Sequence, residues 1–101
     1  MSMEEDIGAM QQQMQFLMFQ RQNFEMQNDE YKTTKSRLAD IKGDIFKIEG
    51  PLLIPVSKTD AEKELDEKLE NNAIKIKALK KQEEQIKEKV NEMVSEYKGK
   101  Q

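Results

Sequence analysis

Two of the side chains that most often carry enzyme chemistry, His and Cys, are absent from this sequence of 101 residues. That removes the commonest general base, the thiol nucleophile and the usual zinc ligands. No Gly-rich phosphate loop, Gly-x-Ser-x-Gly turn or Asp/Asn-rich calcium loop occurs. Carboxylates are plentiful, but they alternate with lysines in the manner of solvated helix faces, so no acid–base pair stands out. Neither catalysis nor a metal or other cofactor is expected. The residues left to do something specific are apolar: seven Met, four Phe and two Tyr. Six of the methionines, Met1, Met3, Met10, Met14, Met18 and Met26, fall in the first 26 positions. Flexible thioethers beside aromatic rings suit binding that tolerates many shapes.

Long helices must hold these residues. In the second half, Leu65, Leu69, Ile76, Leu79, Ile86, Val90, Met93 and Tyr97 recur at alternating spacings of three and four, once Asn72 and Glu83 are admitted to the series. This is a heptad seam, with Leu69, Ile76, Glu83, Val90 and Tyr97 at a and Leu65, Asn72, Leu79, Ile86 and Met93 at d. Thr59-Asp60-Ala61-Glu62 reads as a capping box that opens this helix, and Gly99 as its stop. The first half repeats the rhythm with Ile7, Met10, Met14, Leu17, Phe24, Tyr31 and Leu38, while Arg21, Asn28 and Lys35 hold the remaining a positions. Ser2-Met3-Glu4-Glu5 is a second capping pattern, and Lys42-Gly43 reads as a helix end.

The chain is thus read as one domain over 1–101, with helices over 3–43 and 59–98. Between them, Ile45, Phe46, Ile48, Leu52, Leu53, Ile54 and Val56 flank a Glu-Gly-Pro turn, which predicts a β-hairpin over 45–56. The fold class is mainly α: an antiparallel two-helix coiled coil with the hairpin at its closed end. Two polar matches across the seam compete to set the register, Arg21 with Glu83 or, about one turn away, Asn28 with Asn72.

Charge narrows the partners. The first fifty residues carry six Lys/Arg against nine Asp/Glu, and the remainder eleven of each. No basic surface for nucleic acid results. The run Ile74–Lys81 is a solvated helix face. No segment approaches the ~20 apolar residues of a membrane span, and residues 7–26 carry only Arg21 as a basic group, too little for a membrane-surface helix. The acidic start Met1–Asp6 does not have the form of a signal peptide. These features, with the absence of Cys, lead to the expectation of a cytoplasmic protein.

The hairpin cannot stand alone. Isolated two-stranded ribbons are marginal in water, and this one carries apolar residues on both faces. Its free edges invite other strands, so a sheet shared among several subunits is expected, the alternative being a hairpin that packs back on its own helix ends.

The segment Ile48-Glu49-Gly50-Pro51-Leu52-Leu53-Ile54-Pro55 resembles the hairpin of β-class prefoldin subunits, and looks most like the Gly-Pro-Val-Leu segment of eukaryotic prefoldin subunit six. Ala61–Glu70 is similar to the start of their second helix, and Lys80–Gln85 to its later part. The resemblance implies a hexamer of two α-class and four β-class subunits, whose hairpins form a shared β-barrel platform from which coiled-coil arms hang. An α-class chain would need two hairpins, and this sequence has room for one. The resemblance further implies a holdase that takes non-native proteins, actin and tubulin among them, at its arm tips and passes them to the cytosolic chaperonin.

The residues expected to touch clients are Met10, Met14, Phe16, Leu17, Met18, Phe19, Val90, Met93, Val94 and Tyr97; a place in the seam core is an equal reading for Met10, Met14 and Leu17, and packing on a neighbouring subunit or harmless fraying is the alternative for Phe16 and Phe19. Phe16, Met18 and Phe19 fall at c, e and f, off the seam, where an exposed apolar patch marks a binding surface. Ile45, Phe46, Ile48, Leu52, Leu53, Ile54 and Val56 are the expected assembly residues. The competing reading is a structural coiled coil, a scaffold or tether without client binding, which shares the helices but leaves the hairpin and the off-seam Phe and Met without a purpose.

Overall fold

Helix α1 (Met3–Asp40), strand β1 (Ile45–Glu49), strand β2 (Leu52–Val56) and helix α2 (Lys58–Gly99) follow in that order. The computed structural model describes residues 2–99; Met1, counted above among the methionines, and residues 100–101 lie outside the described residues. The elements form a rod of 70 × 25 × 15 Å, close to the ~60 Å that helices of this length span at 1.5 Å per residue.

Local chemistry starts each helix. The Ser2 hydroxyl accepts from the Glu5 N–H at 3.2 Å, and Glu4, Glu5 and Asp6 place negative charge in the first turn of α1, where the helix dipole favours it. Helix α2 opens two residues before the expected capping box. The Ser57 hydroxyl, rather than that of Thr59, accepts from the Asp60 N–H at 3.0 Å. Ser57 directly follows the last residue of β2, so the helix begins where the ladder ends.

The end of α1 also differs from expectation. The helix stops at Asp40, and Ile41 is extended with φ −76° and ψ 128°. No left-handed glycine closes it: Gly50 is the only residue with positive φ among those described. Instead Lys58 Nζ donates to the carbonyls of Ala39 at 2.8 Å and Ile41 at 3.2 Å. A cation from the first turn of α2 thus satisfies acceptors left open at the end of α1.

The hairpin registers Ile45 with Val56, Phe46 with Pro55, Lys47 with Ile54, Ile48 with Leu53 and Glu49 with Leu52. Gly50, at φ +56°, is the first of two turn residues, and the ring of Pro51 holds the second near −65°. A positive then a negative φ is the sign pattern of a type II′ turn, whose twist matches that of the strands it joins.

The two helices pack along their a and d positions. Leu17, Leu38 and Leu79 are buried, as are Asn28 and Asn72; most other seam residues are half-covered. Of the two polar matches proposed as alternatives, the structure makes the one between Arg21 and Glu83. Arg21 Nε donates to Glu83 Oε2 at 2.7 Å, which together with Glu25 raises the Arg21 pKa above its ordinary value. Asn28 Nδ2 donates to the Leu69 carbonyl at 3.3 Å, and Asn72 Nδ2 to Gln27 Oε1 at 3.1 Å. The two asparagines are buried in the same seam, but each is bonded to another residue of the facing helix rather than to the other asparagine. Asn28 Oδ1 is buried without a hydrogen-bond partner among the described residues. Lys35–Asp66 at 2.6 Å closes the same register on the surface.

Buried Asn specifies alignment at the expense of stability. Replacing both Asn28 and Asn72 by Leu should raise the thermal midpoint by about 5 °C, the shift expected of ~1 kcal/mol in a domain this size. Spin labels on cysteines introduced at Gln22 and Glu84 should then report a distance distribution that broadens from one population to several. An unchanged width would show that register is set elsewhere.

Candidate functional site

Two surfaces stand out, one on the arm and one on the hairpin. On the arm, heptad position decides which side chains meet water. Leu17 sits at d and is only 7% exposed, packed toward α2, whereas its neighbours Phe16 and Phe19 are 59% and 62% exposed. Met18 at e is less open, at 37%. Met10, Met14, Val90, Met93 and Val94 are half-covered. Tyr97 is exposed although it holds an a position. The register that pairs Arg21 with Glu83 and Lys35 with Asp66 brings Tyr97 level with the first turns of α1, at the free end of the rod.

Met10, Met14, Ile86 and Val90 line a groove of about 460 Å3 between the helices near the free end of the arm. A second groove of about 480 Å3 continues from Met14 past Met18 toward Arg21 and Glu83. Gln and Lys side chains rim the first groove, so its floor is apolar and its border polar, the usual anatomy of an interaction site.

Phe16 and Phe19 do not lie in either groove. They occupy c and f, on the side of α1 turned away from the seam. Met26, also at f and 61% exposed, extends the stripe. Met26 was absent from the expected site, although the same heptad count that placed Phe19 places it too. Phe16 lies thirteen residues into α1, about 20 Å from its start, so the most exposed apolar residues run along the flank of the arm rather than at its end. Ile74, on α2, is similarly bare.

On the hairpin, alternation sorts the side chains. Ile45, Lys47, Glu49, Leu52, Ile54 and Val56 share one face. Lys47 Nζ reaches Glu64 Oε1 of α2 at 2.9 Å, which turns this face toward the helices, and Ile45, Ile54 and Val56 are half-covered there. The hydrogen bond from Lys47 holds the Glu64 carboxyl below the ordinary carboxylate range, against a smaller opposing effect of burial. This tie is present above the ordinary carboxylate pKa and lost as pH falls through the depressed value.

The opposite face carries Phe46, Ile48, Leu53 and Pro55. Phe46, Ile48 and Leu53 are 53%, 75% and 66% exposed, and Pro55 is exposed as well. Every residue of this face is apolar and none is covered. Leu52, beside the turn, is bare on the first face. The expected assembly set therefore divides into an inward group and an outward one, and Pro55, not included in it, completes the outward group.

Among the described residues no helix is long and apolar enough to cross a membrane. A family model described as "Prefoldin subunit" matches residues 2–101. The prefoldin β subunit of Pyrococcus horikoshii is 33% identical over 89 residues, covering 86% of this chain and 76% of the relative. That of Archaeoglobus fulgidus is 34% identical over 88 residues, covering 85% and 76%. In three dimensions, the prefoldin β subunit from Thermococcus strain KS-1 superposes with a TM-score of 0.88 at 27% identity, over 93% of this chain and 84% of that one. A helix–hairpin–helix rod with one hairpin, matched over nearly its whole length by β subunits, leaves a single assignment: the chain belongs to the prefoldin subunit family, in its β-subunit class.

Proposed function

We propose that this protein is one subunit of a hexameric, ATP-independent holdase that grips unfolded proteins with coiled-coil arms and hands them to the cytosolic chaperonin. The observation that carries the reading is a pair of bare apolar surfaces in separate places on one rod. The hairpin face of Phe46, Ile48, Leu53 and Pro55 suits burial in a shared barrel, because a lone two-stranded ribbon leaves it in water. The arm surface of Met10, Met14, Phe16, Met18 and Phe19 remains open once the platform is built.

Two α-class and four β-class chains make up the proposed particle, and its location is the cytoplasm. Within the β class, the Gly50-Pro51 hairpin supports a place near eukaryotic prefoldin subunit six. Clients are non-native chains of the actin and tubulin kind. Each contact with an exposed apolar segment is weak, and several arms acting together give avidity. Holding needs no bond to be made or broken, so the protein works without enzymatic chemistry.

Changing Phe16, Met18 and Phe19 together to Ser should leave the hexamer intact in sedimentation velocity. Suppression of actin aggregation by that hexamer, followed by light scattering, should weaken about tenfold, equivalent to ~1.4 kcal/mol of client affinity. Full suppression by the variant would favour a scaffold or tether that binds no client. Assembly is tested best at Ile48, since Ile54 packs inward. Ile48→Asp should leave the helical circular dichroism of the arm unchanged and yield monomers or small oligomers. A normal hexamer from this variant would show that the bare hairpin face is not the platform.

A further inference from the structure

The two edges of the hairpin are not equivalent. Glu49 and Leu52 close a two-residue turn, which makes them a hydrogen-bonded pair, and such pairs alternate along an antiparallel ladder with pairs whose N–H and C=O groups point outward. The inward pairs are then Glu49–Leu52, Lys47–Ile54 and Ile45–Val56, and the outward ones Ile48–Leu53 and Phe46–Pro55. On β1, both Phe46 and Ile48 offer an N–H to a further strand. On β2, the outward positions are Leu53 and Pro55, and Pro55 has no N–H to offer. The next position of that parity, in the turn, is Pro51. Both prolines of the chain therefore fall on one edge, which is left with the single donor of Leu53. Proline at this parity breaks no bond inside the hairpin and weakens only what can be added from outside.

We infer that the strands of other prefoldin subunits dock unequally on this hairpin: the strong seam runs along β1, and the weak one, where the assembly opens first, along β2. This rests on the assembly reading above and goes beyond it by giving the joint a direction. A closed ring of strands must use both edges. Within each such ring this chain supplies one joint with its full set of donors and one that lacks the Pro55 donor and keeps the Leu53 N–H and the two outward carbonyls. The partner at the β1 edge is an extended strand that presents alternating donors and acceptors and an apolar face to lie beside Phe46 and Ile48.

Residue-resolved amide hydrogen exchange tests this on the intact particle, purified through a tag on this chain. After correction for intrinsic rates, the Phe46 and Ile48 amides should be protected, and Leu53 should exchange about tenfold faster, the effect of one missing neighbouring hydrogen bond and a seam that opens more often. Pro55→Val restores the absent N–H and should slow exchange at Leu53 toward the rates of Phe46 and Ile48. Protection of Leu53 equal to or above that of Phe46 and Ile48 in the unmodified particle overturns the inference while leaving the shared platform standing. An intact particle in which none of the three amides is protected overturns the platform as well. No response of Leu53 to Pro55→Val removes the proline as the cause of the asymmetry.

Discussion

Two helices lying side by side can hide one stripe each, and whatever else they carry stays in water. In this chain the hidden stripe is small. Three leucines and two asparagines are buried, while the other seam residues are half-covered at best. Among the described residues no third layer covers the hairpin or the aromatic flank of α1, which leaves apolar surface in water. Both proposed activities, assembly through the hairpin and capture of unfolded chains along the arm, use that surplus.

The seam aligns these surfaces as well as joining the helices. An apolar heptad seam slides readily, because one leucine layer resembles the next. Here Arg21–Glu83, the two asparagines and Lys35–Asp66 tie α1 to α2 at several levels. Lys58 and the Lys47–Glu64 pair join the hairpin end to the helices. None of these is a strong stabiliser by itself, since exposed ion pairs contribute little and buried amides lower stability. Together they fix where the grooves and the bare hairpin face lie along one rod, which a purely leucine seam would leave loose.

Much of this was legible in the residues. Period fixes which side of a helix is covered, so the heptads located the arm, and the Glu-Gly-Pro turn between apolar runs located the hairpin to the residue. What the residues do not disclose is reach across the fold. Gly43 suggested a helix end, but Lys58, far along the chain, takes the open carbonyls and α1 stops earlier. Thr59 and Ser57 both begin an acceptable capping pattern, and only the end of the ladder at Val56 favours Ser57. Counting residues left two polar matches open, and the structure makes the Arg21–Glu83 one, while Asn28 and Asn72 bond Leu69 and Gln27 instead of each other. Leu17 stands both in the seam by heptad count and in the expected client set, and the structure gives it to the seam, while Phe16 and Phe19 face away from it. The same counting located the stripe on α1 but not its distance from the end of the rod.

The exposed hairpin face makes the number of chains in the native particle the decisive quantity. Intact-complex mass spectrometry of the protein recovered at its natural level from its own cells measures that number directly. A particle of six prefoldin chains that includes this 11.9 kDa subunit is the expected result. A well-folded 11.9 kDa chain with no companions would contradict it, because the apolar face of Phe46, Ile48, Leu53 and Pro55 would then be stable in water uncovered.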